Sequence, residues 1–158
     1  MELTLEQTFQ QGVVAHKKGK LQEAADLYNA VLKKQPTHPD ANYNLGLIAI
    51  SVNNIKSAVL LFKTALEANP KIKQFWLSYI SALTKSNQIE MAKIVLKQGR
   101  KGGLAGEEVD TLEAQLKKIT PSKSRQKKNK ASSQNTNKVN PSQSQLNNLI
   151  EQYQINNY

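Results

Sequence analysis

"NYNLGLIAISVNNIKSAVLLFKTALEANP" (residues 42–70) places Leu45–Gly46, then Ala58, Phe62, Ala65 and Pro70, at intervals that recur along the chain. Gly12 and Gly46 lie 34 residues apart. Ala24, Ala58 and Ala92 keep the same step, as do Tyr28, Phe62 and Leu96. So do Val31, Ala65 and Gly99, and the pair Pro36 and Pro70. Several ladders coincident on one period define a repeated structural unit.

Within each unit the pattern is helical. Val13, Val14, Leu21, Ala24, Ala25, Tyr28, Val31 and Leu32 follow at steps of mostly three and four, which draws an apolar stripe. Polar breaks at 17–20, 52–54 and 85–88 are short, whereas 35–40 and 69–73 carry proline. Proline lacks the amide hydrogen and disfavours helix in the residue before it, so each of these ends a helix. The unit is two helices joined by a tight turn. Small residues at Gly12, Gly46, Ala24, Ala58 and Ala92 would let the paired helices approach. Tyr28, Phe62 and Leu96 are expected to fill the gap between one unit and the next.

This pattern resembles the tetratricopeptide repeat family, with its signature W-x-x-L-G-x-x-Y…A-x-x-x-F…P. The middle unit meets it through Leu45, Gly46, Ala58, Phe62 and Pro70, and the first through Gly12, Ala24, Tyr28 and Pro36. The third supplies Trp76, Ala92 and Leu96, with Ile80 where the glycine belongs and no closing proline. The resemblance implies an all-α, right-handed solenoid with units at 5–38, 39–72 and 73–104. It is similar to the amino-terminal repeat region of larger bacterial proteins of that family.

Three glycines within 102–106 stop one helix and start another. Val109, Leu112, Leu116 and Ile119 then trace a stripe, with acids at the amino end and lysines at the carboxyl end, as the helix dipole favours. Residues 105–119 are therefore read as a capping helix over the open end of the stack. Residues 120–144 hold only Ala131 and Val139 as apolar side chains, which predicts a disordered basic linker. In 145–158, Leu146, Leu149, Ile150 and Tyr153 trace a further helix face, read as the first helix of a truncated fourth repeat. That helix could dock back on the stack or self-associate with another chain.

The 158 residues carry a formal charge of +10, but residues 117–138 hold eight Lys/Arg and no acid. The excess belongs to one short segment, not to a folded basic face. That segment has no interleaved aromatic to stack on bases, so it reads as a solubilising linker and nucleic acid is not the expected partner. With no cysteine, disulfides, thiolate metal sites and cysteine nucleophiles are excluded. The two histidines, His16 and His38, are too few for a histidine metal cluster and are read as surface residues. No cofactor or metal is expected. The opening "MELTLEQTFQQ" lacks an apolar signal core and "AVLLF" (58–62) is the longest apolar run, so the expected location is the cytoplasm, away from membranes.

Stacked units line a concave surface with the first helix of each pair. By register that surface holds Phe9, Gln10 and Val13, then Tyr43, Asn44 and Leu47, then Leu77, Ser78 and Ser81. Gln10, Asn44 and Ser78 form a polar ladder able to bond the backbone of an extended peptide. The resembling family also grips acidic carboxyl-terminal tails through a two-carboxylate clamp. Here the matching places hold Phe9, Val13, Asn44, Gln74 and Ser78, with no cation to pair with a carboxylate, so that mode is rejected. Trp76 is read as an inter-repeat packing residue. No catalytic motif is present. The expected function is a non-catalytic module binding a protein or peptide partner in the groove. The alternatives are the substrate-recruiting amino-terminal part of a larger bacterial glycosyltransferase or methyltransferase, and weak nucleic-acid binding through the basic linker.

Overall fold

A computed structural model describes residues 2–119 as seven helices. They are α1 (Leu5–Lys17), α2 (Leu21–Lys34), α3 (Pro39–Ser51), α4 (Ile55–Ala68), α5 (Lys73–Lys85), α6 (Ile89–Lys101) and α7 (Glu107–Lys118). Each packs on its chain neighbour, and α7 also touches α5. Among the described residues there is no strand, and no helix is long and apolar enough to cross a membrane.

Local chemistry sets the boundaries. Thr4 and Gln7 make a reciprocal capping box at α1, the Gln7 amide donating to Thr4 Oγ1 at 3.1 Å and the Thr4 amide to Gln7 Oε1 at 2.9 Å. Pro39 opens α3 where its missing amide hydrogen costs nothing. Asn54 Oδ1 caps α4 by accepting from the Ser57 amide at 3.2 Å. Gly19, Asn53 and Asn87, one step of 34 apart, all have positive φ, at 73°, 59° and 62°. At each, the next amide reaches back to close a left-handed helix end, as Asn54 does to the Ala49 carbonyl at 2.8 Å.

The core runs continuously from Phe9 to Leu116. A Cβ added to Gly46 would lie 2.6 Å from Phe62 Cε1, and one added to Gly12 would lie 2.7 Å from Tyr28 Cε1. Each large ring therefore lies in a notch on the first helix of its own unit. Tyr28 and Phe62 pack inside units, and the sequence expectation that they fill the gap between units is corrected. The junctions are bridged by other rings: Phe9 on His38 at 5.0 Å between centroids, and Tyr43 on Phe75 at 4.9 Å. In the third unit the volumes are exchanged, with Ile80 buried in the first helix and Leu96 in the second. That exchange accounts for the missing glycine.

The first-helix starts at 5, 39, 73 and 107 keep one step, so α7 stands in the first-helix register of a fourth unit. The boundary read at 145–158, like the linker at 120–144, lies outside the described residues.

Neither histidine is an ordinary surface residue. His38 Nδ1 caps α3 by accepting from the Ala41 amide at 3.2 Å. His16 is half-buried, its Nδ1 lying 3.5 Å from Tyr28 Oη. Burial pushes the Tyr28 phenol up to about 12 and lowers the His16 pKa below its ordinary 6.5.

Gly46→Ala sets a methyl into the Phe62 ring and should cost about 1–2 kcal/mol in urea unfolding, overpacking outweighing the helix gain. At Gly99 the tightest neighbour of a new Cβ is Leu104 Cδ2 at 2.7 Å, the end of a flexible side chain, so Gly99→Ala should stay within about 1 kcal/mol of the parent. Unfolding frees His16 to take a proton at its ordinary 6.5, so the unfolded state binds more protons below that value. Stability should therefore fall from pH 7 to pH 5, and the fall should be smaller in His16→Gln, read as urea midpoints.

Candidate functional site

The first helices α3, α5 and α7 enclose a cleft of about 570 Å³. Leu47 and Ile50 come from α3, and Gln74, Leu77, Ser78, Ser81 and Lys85 from α5. Phe62 and Ala82 form part of the floor. The opposite wall is α7, with Glu107, Glu108, Thr111, Leu112 and Gln115. Apolar seats at Leu47, Leu77 and Leu112 thus alternate with neutral hydrogen-bonding groups. Lys73 reaches across to Glu108 at 3.0 Å, which leaves Lys85 as the cleft's cation.

Of the groove positions expected from sequence, Leu47, Leu77, Ser78 and Ser81 come together in this cleft. Tyr43, half-buried, is committed to Phe62 and Phe75, and its hydroxyl accepts from Ser78 Oγ at 3.4 Å. Phe9 is core, only 8% exposed, with its ring between Tyr28 and His38. Val13 packs partly against the core. Gln10 points to solvent and donates to Glu6 on its own helix at 2.7 Å. Asn44 is half-buried and lines no part of the cleft. The polar ladder is therefore not one continuous row of available groups: Gln10 and Ser78 are both engaged locally.

Sequence reasoning missed the α7 wall. Thr111, Leu112 and Gln115 stand one step of 34 beyond Leu77, Ser78 and Ser81, and all six line the cleft. Extending the groove register through the capping helix would have found them.

Trp76, expected as packing, donates its indole N–H to the Pro70 carbonyl at 2.8 Å and lies over Gly99 beside Leu104. One step earlier, the buried Asn42 amide donates to the Pro36 carbonyl at 2.9 Å. The same junction bond is thus made by two chemistries, and the asparagine was not anticipated. A second hollow, about 490 Å³, lies beside Trp76 between Lys71, Lys73 and the 102–105 turn.

The position of α7 is held by Arg100 on α6, whose guanidinium donates to Asp110 and, at 2.7 Å, to Glu113. Hydrogen bonds from Arg100 and then Lys117 hold the Glu113 carboxyl below its ordinary value of 4.5. That contribution is present above 4.5 and lost as acid protonates the carboxylate. Among the described residues no group of three His, Asp or Glu could hold a metal.

Residues 15–71 match the tetratricopeptide repeat family. Residues 15–71 thus carry tetratricopeptide repeat sequence, and the described helix pairs have the fold of such repeat domains. Among solved structures it is similar to the repeat domain of Sgt2 from Aspergillus fumigatus, at 18% identity and TM-score 0.61, over 72% of this chain and 77% of that one. The first repeat domain of Spaghetti (RPAP3), solved with the HSP90 peptide SRMEEVD, is similar at 17% identity and TM-score 0.64, over 72% and 90%. MamA MSR-1 C2 is similar at 18% and 0.59, over 95% and 79%. At these identities the likeness is one of fold. No curated protein matches the sequence.

Arg100→Gln should release the α7 wall without unfolding the array. Amide exchange in 107–118 should rise several-fold while α3 and α4 keep their protection. Unchanged exchange in α7 would show that apolar docking of Val109 and Leu116 suffices.

Proposed function

We propose that the array is a non-catalytic interaction module that binds a segment of a protein partner in the α3–α5–α7 cleft. The observation that carries the reading is the convergence of Leu47, Leu77 and Leu112 with neutral polar groups in a hollow of about 570 Å³. A partner segment seats an apolar side chain on the three leucines. Gln74, Ser81 and Gln115 can meet its backbone. Repeat modules hold such segments by surface complementarity, and no step of bond chemistry is required.

The solved Spaghetti domain carries an acidic peptide. In this chain Phe9, Val13, Asn44, Gln74 and Ser78 occupy the places a carboxylate clamp would need, and all five are uncharged. The acids Glu107 and Glu108 at the cleft further disfavour an anionic tail. The partner segment that fits is therefore apolar and close to neutral.

A displayed library of short peptides, selected on the full chain, tests this. Leu47→Asp alters an exposed cleft side chain and should leave the urea midpoint nearly unchanged. It should weaken the selected peptides by roughly tenfold or more, the scale of a central apolar anchor. Peptides indifferent to both Leu47→Asp and Ser81→Arg would place binding elsewhere and overturn the reading.

A further inference from the structure

The chain contains a segment whose chemistry fits the cleft, and we infer that residues 145–158 seat there in cis and compete with outside partners. The inference rests on the reading of the cleft as a peptide site. Leu146, Leu149, Ile150 and Tyr153 recur at i, i+3, i+4 and i+7, which gives one apolar helix face for Leu47, Leu77 and Leu112 to receive. Apart from Ile155 and Tyr158, the other side chains are amides, with one charge, Glu151.

The cleft matches that composition. Between Lys85 on α5 and the acids Glu107 and Glu108 on α7 its hydrogen-bonding groups are amides and hydroxyls; Glu108 is paired with Lys73, and Lys85 makes no salt bridge among the described residues. Seated with Glu151 toward Lys85 and away from Glu107, the segment's one anionic side chain meets the cation of the cleft lining. Residues 120–144 hold only Ala131 and Val139 as apolar side chains and serve here as the tether, not the occupant.

The tether reaches. The chain leaves the cleft's own wall at the end of α7, and the 25 residues of 120–144 precede the segment. A random coil of that length would have a root-mean-square span of about 25–30 Å. The twelve residues of α7 measure about 18 Å, so the whole cleft falls within range. Attachment of this kind raises the effective concentration to the order of millimolar, enough to half-fill a site of millimolar affinity. An isolated helix of fourteen residues is marginal in water, so the cleft would supply the segment's order.

Because the chain has no cysteine, Lys118→Cys, exposed on α7 one turn beyond Gln115 and outside the cleft lining, gives a single attachment point for a nitroxide beside the cleft. Amide signals of 145–158 are then compared in the full-length chain with the nitroxide oxidised and reduced. In-cis docking predicts that signals from 146–153 weaken by roughly twofold or more beyond those of a Leu149→Asp/Ile150→Asp chain. It also predicts no loss when nitroxide-labelled, unenriched chain is mixed with enriched chain lacking the cysteine. Equal profiles for the parent and double-aspartate chains would overturn the inference. So would loss in the mixed sample, which would assign the segment to a second copy. The library-selected peptides are titrated in parallel into the double-aspartate chain. Their binding to the cleft with no effect on the parent's tail overturns the in-cis inference alone, whereas their failure to bind overturns the peptide-site reading.

Discussion

The array depends on an aromatic ring lying in a notch where a side chain has been left out. Tyr28 on Gly12 and Phe62 on Gly46 bring the two helices of a unit closer than any Cβ would permit. Dense packing makes this a near-binary constraint, because a buried ring has no free volume into which to retreat. The third unit meets the same constraint by exchanging volumes, Ile80 on the first helix against Leu96 on the second. Its sequence departs from the repeat pattern while its packing obeys the rule. Pair geometry is thereby held similar along the chain, and only similar pairs can stack on a constant step.

Stacking requires a second, polar constraint at each junction. Asn42 and Trp76, one step apart, donate to the carbonyls of Pro36 and Pro70, which are also one step apart. A proline carbonyl still accepts although its nitrogen cannot donate, so the residue that ends the second helix also anchors the next first helix. His38 and Phe75 complete the junctions by stacking on Phe9 and Tyr43. This use of Phe9 and Tyr43 is what draws them away from the cleft. Not every buried polar group is satisfied: Asn29 is 5% exposed, and its amide has no hydrogen-bond partner among the described residues. The penalty for such a group is about 1–3 kcal/mol, and nothing in its surroundings explains its retention.

The period, the helix pairs and the turns were legible because each rests on local chemistry: apolar spacing, proline, and a left-handed residue at a helix end. Leu47, Leu77, Ser78 and Ser81 were legible as cleft residues for the same reason, since register alone places them on one face. Phe9 was not, because periodicity says which face a residue occupies and not what the next unit brings against that face. The junction role of Asn42 was hidden similarly, since it depends on the Pro36 carbonyl from the linker between units, and the capping role of His38 depends on its ring turning back to the Ala41 amide of α3. The α7 wall was overlooked for a different reason. An apolar stripe of the right length satisfies a capping helix and a fourth first helix equally well, and the start at residue 107 places α7 in the first-helix register.

That double identity gives α7 two unlike faces. On the face of α7 that would receive a second helix, Asp110, Glu113, Ala114 and Lys117 stand one step beyond Trp76, Tyr79, Ile80 and Leu83. Tyr79, Ile80 and Leu83 are buried, whereas Asp110, Ala114 and Lys117 are exposed and Glu113 is held by Arg100. A second helix laid on that face would strip water from three charges and gain little apolar contact. On the cleft face the same helix keeps the groove register, with Thr111, Leu112 and Gln115 following Leu77, Ser78 and Ser81. One twelve-residue helix therefore sets Asp110, Glu113 and Lys117 where a second helix would pack, and extends the candidate binding surface with Thr111, Leu112 and Gln115.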